Sequence, residues 1–222
     1  MNPMAQIRPA QPGDVPTITA LLVDAATADP VAEWLVPDPA ERRVVFHGLL
    51  AMEVDHAVEW GHVDVPLDLT AVAVWHRHPV PDAAVLSDHH LGVFAGRALP
   101  RFRQLHALIS SHRTDTPHHW LSRLHVTPTR RGQGIGGRLL DRHHHRVDQP
   151  GDPYDTVVTT EATRDFLGGH GYRAGLPLHL PSGPRLWPLT RSGNPTATTE
   201  STGPTSPEPT VPYNLRDRRR KP

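Results

Sequence analysis

The chain has 222 residues, and 23 Lys and Arg side chains balance 23 Asp and Glu side chains to a formal net charge of zero. This length suits one domain with a tail, and the balanced charge removes the general electrostatic argument for binding nucleic acid or a membrane surface. The sequence contains no cysteine, which excludes disulfides and a covalent thioester on the protein.

The N-terminal residues 1–14 carry neither the basic stretch nor the apolar stretch of a secretory signal. No apolar run approaches the ~20 residues that a transmembrane helix needs. We therefore expect a cytoplasmic protein that does not enter a membrane.

The N-terminal part of the chain predicts a strand, two helices and a hairpin. Asp14 follows a Pro-Gly turn and is a typical N-cap for the first helix. Pro37 and Pro39 should break the chain before the second helix, which Gly61 should end. The predicted elements are a strand at 6–8, helices at 14–25 and 41–60, and hairpin strands at 62–65 and 70–75.

The remaining elements alternate between strands and helices after a loop marked by Pro79 and Pro81. They are a helix over 87–111 interrupted at Pro100, a strand at 118–126, a helix at 136–147, a strand at 156–160, a helix at 164–169, and closing strands at 172–180 and 185–189. This order indicates an α/β sandwich around a mixed sheet.

Residues 192–222 differ in composition from the rest, because Ser, Thr, Pro and Gly dominate and apolar residues are few. Such a segment cannot bury enough surface to offset its ordering entropy, so we expect one domain at 1–191 and a disordered tail. The tail ends in a basic run at 216–221, which we interpret as solvated charge. Contact of this run with nucleic acid or an acidic surface is the alternative.

A glycine-rich segment follows the strand that ends at Val126 and precedes an apolar helix start at Leu139. Glycine lets a backbone approach a ligand closely, and the free N–H groups of a helix start bind anions. A strand, a glycine turn and a helix therefore predict a site for a phosphate-bearing ligand. Its glycines are Gly132, Gly134, Gly136 and Gly137, and Arg130, Arg131 and Arg138 add positive charge.

Two well-known phosphate loops fit this segment poorly. A P-loop requires a Gly-Lys pair, which the segment lacks. The dinucleotide fingerprint fits Gly132, Gly134 and Gly137, with Asp155 at a plausible distance. That fingerprint belongs in an early βαβ unit, and nothing upstream forms one.

The stretch Arg131–Gly136, R-x-x-G-x-G after L-x-V-x-P, resembles the acetyl-CoA-binding motif of the GNAT N-acetyltransferase family. The resemblance implies a GNAT-like mixed sheet flanked by helices, with loop amides on the coenzyme pyrophosphate and the preceding strand on its pantetheine arm. The coenzyme-binding residues it implies are Leu124, His125, Val126, Arg131, Gly132, Gln133, Gly134, Ile135, Gly136, Gly137 and Asp165.

The resemblance extends beyond the loop. Residues 7–22 are similar to the family's first strand and helix, and residues 159–175 are similar to its second coenzyme motif. The phrase AVAVW at 71–75 and His112-Arg113 are similar to the puromycin N-acetyltransferase branch.

The sequence departs from the family at the positions that handle protons. Leu167 stands where much of the family has a tyrosine near the coenzyme sulfur, and Trp120 stands where some members have a glutamate base. Thr159 falls where puromycin-type enzymes carry a carboxylate, and Arg164-Asp165 falls where an asparagine often contacts the coenzyme. We therefore expect coenzyme binding without the usual acid and base.

Three side chains are candidates for the base, namely His119, His125 and Glu161. Histidine suits proton transfer near neutral pH. Strand alternation predicts that His119, Leu121 and His125 share one face, so spacing does not choose among the candidates. The Val126 N–H could polarise the acetyl carbonyl.

The 17 histidines also raise the hypothesis of a metal site, with runs such as His143-His144-His145. Structural zinc sites usually draw on cysteine, and adjacent residues on a helix point in different directions. We therefore expect no metal site.

The sequence predicts an N-acetyltransferase that uses acetyl-CoA as cosubstrate and a small-molecule amine as acceptor, by direct attack. The alternatives are a non-catalytic acyl-CoA-binding module and a Rossmann-type oxidoreductase. The N-terminal helices and the loops at 34–39 and 79–90 should shape the acceptor pocket, which Trp34, Trp75 and Trp120 either line or support from the core. Neither the acceptor nor the oligomeric state follows from the sequence.

Overall fold

A computed structural model describes residues 6–78, 88–112, 116–147 and 152–193. In this part of the chain, seven strands run in the order β1-β2-β3-β4-β5-β8-β6, and β7 pairs with β8 beside this path. The strands are β1 (Ile7–Pro9), β2 (His62–Pro66), β3 (Ala71–His78), β4 (His118–Val126), β5 (Tyr154–Val158), β6 (Arg173–Ala174), β7 (Leu178–His179) and β8 (Arg185–Arg191). The helices are α1 (Val15–Thr27), α2 (Pro30–Leu35), α3 (Pro39–Trp60), α4 (Asp88–Ala95), α5 (Leu99–Ser110), α6 (Ile135–Val147) and α7 (Glu161–Gly168).

The sheet is mixed, as predicted. β4 and β5 run parallel, whereas the other recorded strand pairs are antiparallel. Helix α6 is the crossover that a parallel pair requires.

Two aspartates start the short helix α2 and the long helix α3. Asp29 accepts hydrogen bonds from the N–H groups of Val31 and Ala32, and Asp38 accepts one from Glu41. A proline follows each aspartate at the first helical position, where its missing N–H costs nothing. The prediction of a break at Pro39 was therefore wrong, and α2 was missed.

Asp14, the predicted N-cap of the first helix, binds residues that precede the helix. Its carboxylate accepts from the Arg8 guanidinium at 2.6 Å and from the Gln11 N–H at 2.8 Å, and makes no side-chain cap to α1. The turn between β1 and α1 is thus tied to the strand rather than to the helix.

The break in the fourth predicted helix lies at Gly96, not at Pro100. Gly96 has a φ of +48° and opens a short 3-10 turn, Gly96–Ala98, between α4 and α5. Pro100 lies in the first turn of α5, which tolerates proline.

Two hydrophobic cores lie on opposite faces of the sheet. Side chains of β3 alternate between them: Val72 and Val74 join the core with α1 to α5, and Ala73 and Trp75 join the core with α6 and α7. This period of two is what a strand buried on both faces shows.

Helix α6 is held to the sheet by a buried carboxylate. Asp64 on β2 is fully buried, and it accepts from Arg142 at 3.0 Å and from Arg146 at 3.1 Å. Two cations on one buried anion satisfy the charge that burial would otherwise make costly.

Element bounds near the C-terminus shift by a few residues from the prediction. β5 begins at Tyr154, and α7 begins at Glu161 after the N-cap Thr160, so Glu161 opens a helix rather than ending a strand. The predicted loop at Pro79 to Pro81 and nearly all of the predicted tail lie outside the described residues. Among the described helices, none is long and apolar enough to cross a membrane.

Candidate coenzyme and acceptor site

The strands β4 and β5 pair at one end and separate toward the other. Their recorded register covers His119 with Tyr154 and Trp120 with Asp155. At the next position the Thr156 hydroxyl donates to the Leu121 carbonyl at 2.7 Å, and the register of the two strands extends no further among the described residues. The C-terminal half of β4 therefore presents the edge that faces β5 without a strand against it.

A bulge at Ser122 divides β4 into two halves. Val74 and Trp75 on β3 are adjacent, but their partners Arg123 and Leu121 are two residues apart. The extra residue, Ser122, turns its hydroxyl to the Val74 carbonyl. Such an insertion shifts the alternation of all later side chains by one position.

The predicted faces of β4 are corrected by this bulge. Leu121 before it and Leu124 and Val126 after it all belong to the core under α6. Arg123 instead reaches Glu53 on α3, across the sheet. His125 therefore lies on the face opposite His119 and Leu121, and the prediction that the three share a face was wrong.

The open edge of β4 carries backbone donors toward the separated strand. Thr127 donates to the Thr70 carbonyl at the start of β3. Since N–H groups alternate in direction along a strand, those of Val126 and Leu124 point away from β3. The resemblance assigns this strand, with Leu124, His125 and Val126, to the coenzyme, and of these residues His125 has its N–H directed toward β3.

The glycine loop continues from this edge into α6. Gly132 and Gly134 have φ values of +75° and +71°, which favour glycine, and a Cβ at either would meet nothing within 4 Å. The backbone N–H of Arg138 donates to the Gly134 carbonyl. The backbone N–H groups of the preceding turn therefore precede the first hydrogen bond of the helix and have no partner within it. An exposed backbone cradle at a helix start fits a pyrophosphate.

The arginines near the loop have different partners. Arg130 is paired with Asp68, and its guanidinium also reaches Gln133 at 3.4 Å. Arg131 is exposed and donates Nε to the Val126 carbonyl at 3.1 Å. Arg138 points toward a surface cavity near β1 rather than along the loop. Arg131 is thus the cation best placed beside the open edge.

Phe166 forms the wall opposite the loop. Its ring lies 3.2 Å from where a Cβ on Gly136 would be, and a Cβ at that position would also meet Val126. Phe166 is 39% exposed, whereas Leu167 is 1% exposed and belongs to the core. The α7 side chain that borders the loop is therefore Phe166, and it has no proton to donate.

The three candidate bases lie in three places. His119 lies at the paired end of β4, where burial lowers its pKa to about 4 against the opposing charge of Asp152. Burial and then Arg131 lower the pKa of His125, which is partly buried. Glu161 is exposed at the start of α7. The structure does not bring them together.

Asp165, the last implied coenzyme residue, is exposed on α7 and accepts from Arg164 at 2.9 Å. Ile135 is 4% exposed, so only its backbone is available to a ligand.

A buried histidine cluster surrounds the paired end of β4 and β5. His143 stacks on Trp75 at 4.0 Å, and its Nδ1 accepts from Arg146 at 3.0 Å. Burial and neighbouring cations lower the pKa of His143 to about 2 and that of His144 to about 3. Both imidazoles are neutral at pH 7. Within the described ranges, no group of three or more His, Cys, Asp or Glu side chains is arranged to hold a metal ion.

A buried ion pair lies on the α3 face of β4. The Arg123 guanidinium donates to Glu53 Oε2 at 2.9 and 3.1 Å, and His76 lies 3.9 Å from Glu53. Burial opposes ionisation of Glu53, but Arg123 and His76 outweigh it and lower the pKa of Glu53 to about 2. The charge of Arg123 is therefore already balanced within the protein.

Asp29 joins this face to the end of β5 and was missed in the sequence. The Thr159 hydroxyl donates to Asp29 Oδ2 at 2.6 Å, while Oδ1 caps α2. The carboxylate that Thr159 contacts belongs to a residue 130 positions earlier in the chain. The Asp29-Pro30 step, a cap followed by proline, was the signal that could have located it.

The three tryptophans divide between core and edge. Trp75 is 1% exposed and belongs to the core. Trp34 donates its indole N–H to the Pro181 carbonyl at 3.1 Å and lies under Arg101. Trp120 is partly buried on β4.

Comparison with solved structures identifies the architecture. A Corynebacterium glutamicum protein described as histone acetyltransferase HPA2 and related acetyltransferase superposes with a TM-score of 0.66 at 21% identity, over 86% of this chain and 98% of that chain. Arylalkylamine N-acetyltransferase 2 from Aedes aegypti gives 0.62 at 11% identity, over 85% and 99%. A Desulfovibrio desulfuricans protein described as an acetyltransferase of the GNAT family gives 0.52 at 16% identity, over 85% and 99%.

No family model matches the sequence. At these identities the structural likeness establishes the fold, and the puromycin branch stays a prediction. The GNAT fold expected from Arg131–Gly136 is confirmed, and the chain has the architecture of the GNAT acetyltransferases.

Proposed function

We propose that the protein transfers the acetyl group of acetyl-CoA to the nitrogen of a small-molecule amine by direct attack. The observation that carries the proposal is the separation of β4 from β5 beside the glycine loop. It leaves a row of strand N–H groups that leads into an exposed helix start, which suits a long amide-bearing arm ending in a pyrophosphate.

This geometry supports a proposal for the residues that would hold the coenzyme. The backbone of Leu124 and Val126 would hold the pantetheine amides, and the backbone from Gly132 to Gly137 would hold the pyrophosphate. Arg131 would add positive charge beside them. When bound, acetyl-CoA supplies the activated acetyl group, and the protein chiefly orients it and the amine, an effect worth many orders of magnitude in rate.

Few side chains near the glycine loop are able to donate or accept a proton during the reaction. Phe166 borders the loop and Leu167 is in the core. His125, with its pKa lowered by burial and Arg131, would be neutral at pH 7 and so able to accept a proton. His125 is therefore our candidate base. His119 is not, because it is buried at the paired end of β4.

A non-catalytic acyl-CoA-binding module is the second candidate. The observation that favours it is Leu167, which stands where the resemblance expects a proton-donating tyrosine and is 1% exposed in the core. Both candidates require the same coenzyme site, and they differ in whether an acceptor reacts.

Calorimetric titration with acetyl-CoA, CoA and NAD, followed by a thiol-release assay with a panel of amines, tests the proposal. We expect acetyl-CoA to bind, NAD not to bind, and thiol release to require an amine. Acetyl-CoA binding without turnover on any amine would favour the binding module. Binding of NAD without CoA would overturn both candidates.

A further inference from the structure

Asp29 is held in a fixed position between two parts of the chain. Its Oδ1 accepts from Val31 N–H at 2.8 Å and from Ala32 N–H at 3.2 Å, and its Oδ2 accepts from the Thr159 hydroxyl at 2.6 Å. A cap alone would need only Oδ1. The bond to Thr159 fixes the second oxygen at the end of β5, beyond the point where β4 and β5 separate.

The carboxylate retains capacity for one more donor. Each carboxylate oxygen accepts about two hydrogen bonds. The described residues place two donors on Oδ1 and one on Oδ2. Oδ2 therefore retains the capacity to accept from a further N–H donor, and such a bond would displace no bond of the fold.

Arg123, a basic side chain whose charge interacts with that of Asp29, does not take this position. Both of its recorded hydrogen bonds go to Glu53. With Glu53 and Arg123 balancing each other, the negative charge of Asp29 remains to attract a cation from outside.

The location is suited to an acceptor. Asp29 lies with α1 and α2 on the face opposite α6, whereas the glycine loop leads into α6. A coenzyme arm along the open edge of β4 would lie between the two faces. An amine arriving from the α1–α2 face would meet Asp29 at the end of β5, where Thr159 binds it.

We propose that Asp29 Oδ2 binds the protonated amino group of the acceptor and that Thr159 positions this oxygen. Before attack, the bound ammonium gives one proton to a base, for which His125 is the candidate, so that the nitrogen lone pair is free. The acceptor class is then cationic primary amines, in preference to uncharged aromatic amines. This inference rests on the proposed acetyltransferase function and adds the acceptor class to it.

The test uses Asp29→Asn, because asparagine is as good an N-cap as aspartate. Its one oxygen can cap α2, while its Nδ2 can donate to the Thr159 hydroxyl and cannot accept from an ammonium group. The matched control is Asp38→Asn, which makes the same change at the N-cap of α3. Thiol release is measured with an alkylamine, cationic at pH 7.5, and with an aniline, uncharged at that pH. Calorimetry measures acetyl-CoA binding by each variant.

For Asp29→Asn we expect the KM of the alkylamine to rise about 10- to 100-fold, because a charge-assisted hydrogen bond is lost. The kcat, the KM of the aniline and the affinity for acetyl-CoA should stay within about 3-fold of wild type. Asp38→Asn should leave every constant unchanged. Thr159→Val should raise the alkylamine KM by a smaller factor, and Thr159→Ser should restore it.

The outcomes separate the two proposals. An unchanged alkylamine KM in Asp29→Asn, with the wild type active, overturns the role of Asp29 alone. An equal loss on the alkylamine and the aniline also overturns it, since that pattern indicates a structural effect. A wild type that binds acetyl-CoA but acetylates neither amine overturns the acetyltransferase function and this inference with it.

Discussion

The two ends of the β4–β5 pair are built on opposite principles. At the paired end, side chains carry the structure: His143 stacks on Trp75, and Tyr154 packs against His119 at 5.3 Å. At the separated end, the backbone is open, because Gly132 and Gly134 have open space where other residues have side chains.

This difference indicates that the paired end contributes to stability and that the separated end is suited to ligand binding. Buried rings and a neutral histidine cluster give the paired end a high cost of opening. The separated end has few packed side chains and exposed N–H groups, which is typical of binding segments. Changes at one end should therefore alter folding, and changes at the other should alter ligand affinity.

The largest effect is expected at the separated end. Gly134→Glu should weaken acetyl-CoA binding on the order of 100-fold, because a carboxylate would stand against the pyrophosphate. The control is Gly96→Glu, since Gly96 also has a positive φ and no atom within 4 Å of a Cβ. Calorimetry with both variants separates charge at the loop from backbone strain. Equal affinities would contradict the assigned loop.

Acid should destabilise the paired end first. The folded pKa values of His143 and His144 lie near 2 and 3, below the unfolded value of about 6.5. The unfolded state thus binds more protons below pH 6.5, and stability is lost as pH falls through that value. Each histidine costs up to about 2 kcal/mol by pH 5.

The measurement is the change in Tm between pH 7.5 and pH 5. His143→Phe should keep the stack on Trp75 and reduce this change by about 4–8 °C. His47→Phe, at an exposed position of α3, should keep the wild-type change. A wild-type response in both variants would show that His143 is not a source of the acid sensitivity.

Restoring the tyrosine of the family phrase should harm folding. Leu167→Tyr would force a larger, polar side chain into a core position that is 1% exposed, at a cost of about 1–3 kcal/mol. Phe166→Tyr adds the same hydroxyl at a 39% exposed position and should change stability by less than about 0.5 kcal/mol. Urea unfolding of the two variants checks this. A stable Leu167→Tyr variant with faster turnover would contradict this prediction, and would indicate that position 167 corresponds to the family's tyrosine.

The smallest effect is expected where the two ends meet. Thr156→Val removes the donor to the Leu121 carbonyl while keeping the shape, and should cost about 1 kcal/mol. Thr156→Ser keeps the hydroxyl and should retain that hydrogen bond. Urea midpoints of the pair measure the bond, and equal midpoints would mean that the carbonyl finds another donor.

Local patterns in the sequence were sufficient for most of the fold. Strand β4 has the predicted bounds, and the loop and α6 follow as expected, because glycine spacing and an apolar run are local signals. The missed helix α2 has only six residues, too few for periodicity to show.

The site needed information that no local pattern contains. The bulge at Ser122 depends on how β4 pairs with β3, and it reversed the face of His125. The bond between Asp29 and Thr159 joins residues 130 positions apart. The position of the glycine loop between β4 and α6 could thus be predicted from the sequence, whereas the contacts of Asp29 and the face of His125 could not.

The buried carboxylate of Asp64 fixes the C-terminal half of α6 to the sheet, so that a tilt of α6 about this point would move its N-terminal end. Arg142 lies eight residues beyond Gly134, about 12 Å along the helix. A tilt of roughly 5° about that point would move the glycine loop by about 1 Å, a misplacement that can cost on the order of 100-fold in rate. The alignment of the glycine loop with the open edge of β4 therefore depends on Asp64, which lies on β2. Substitutions at Asp64 would act on it mechanically, without any contact with a ligand.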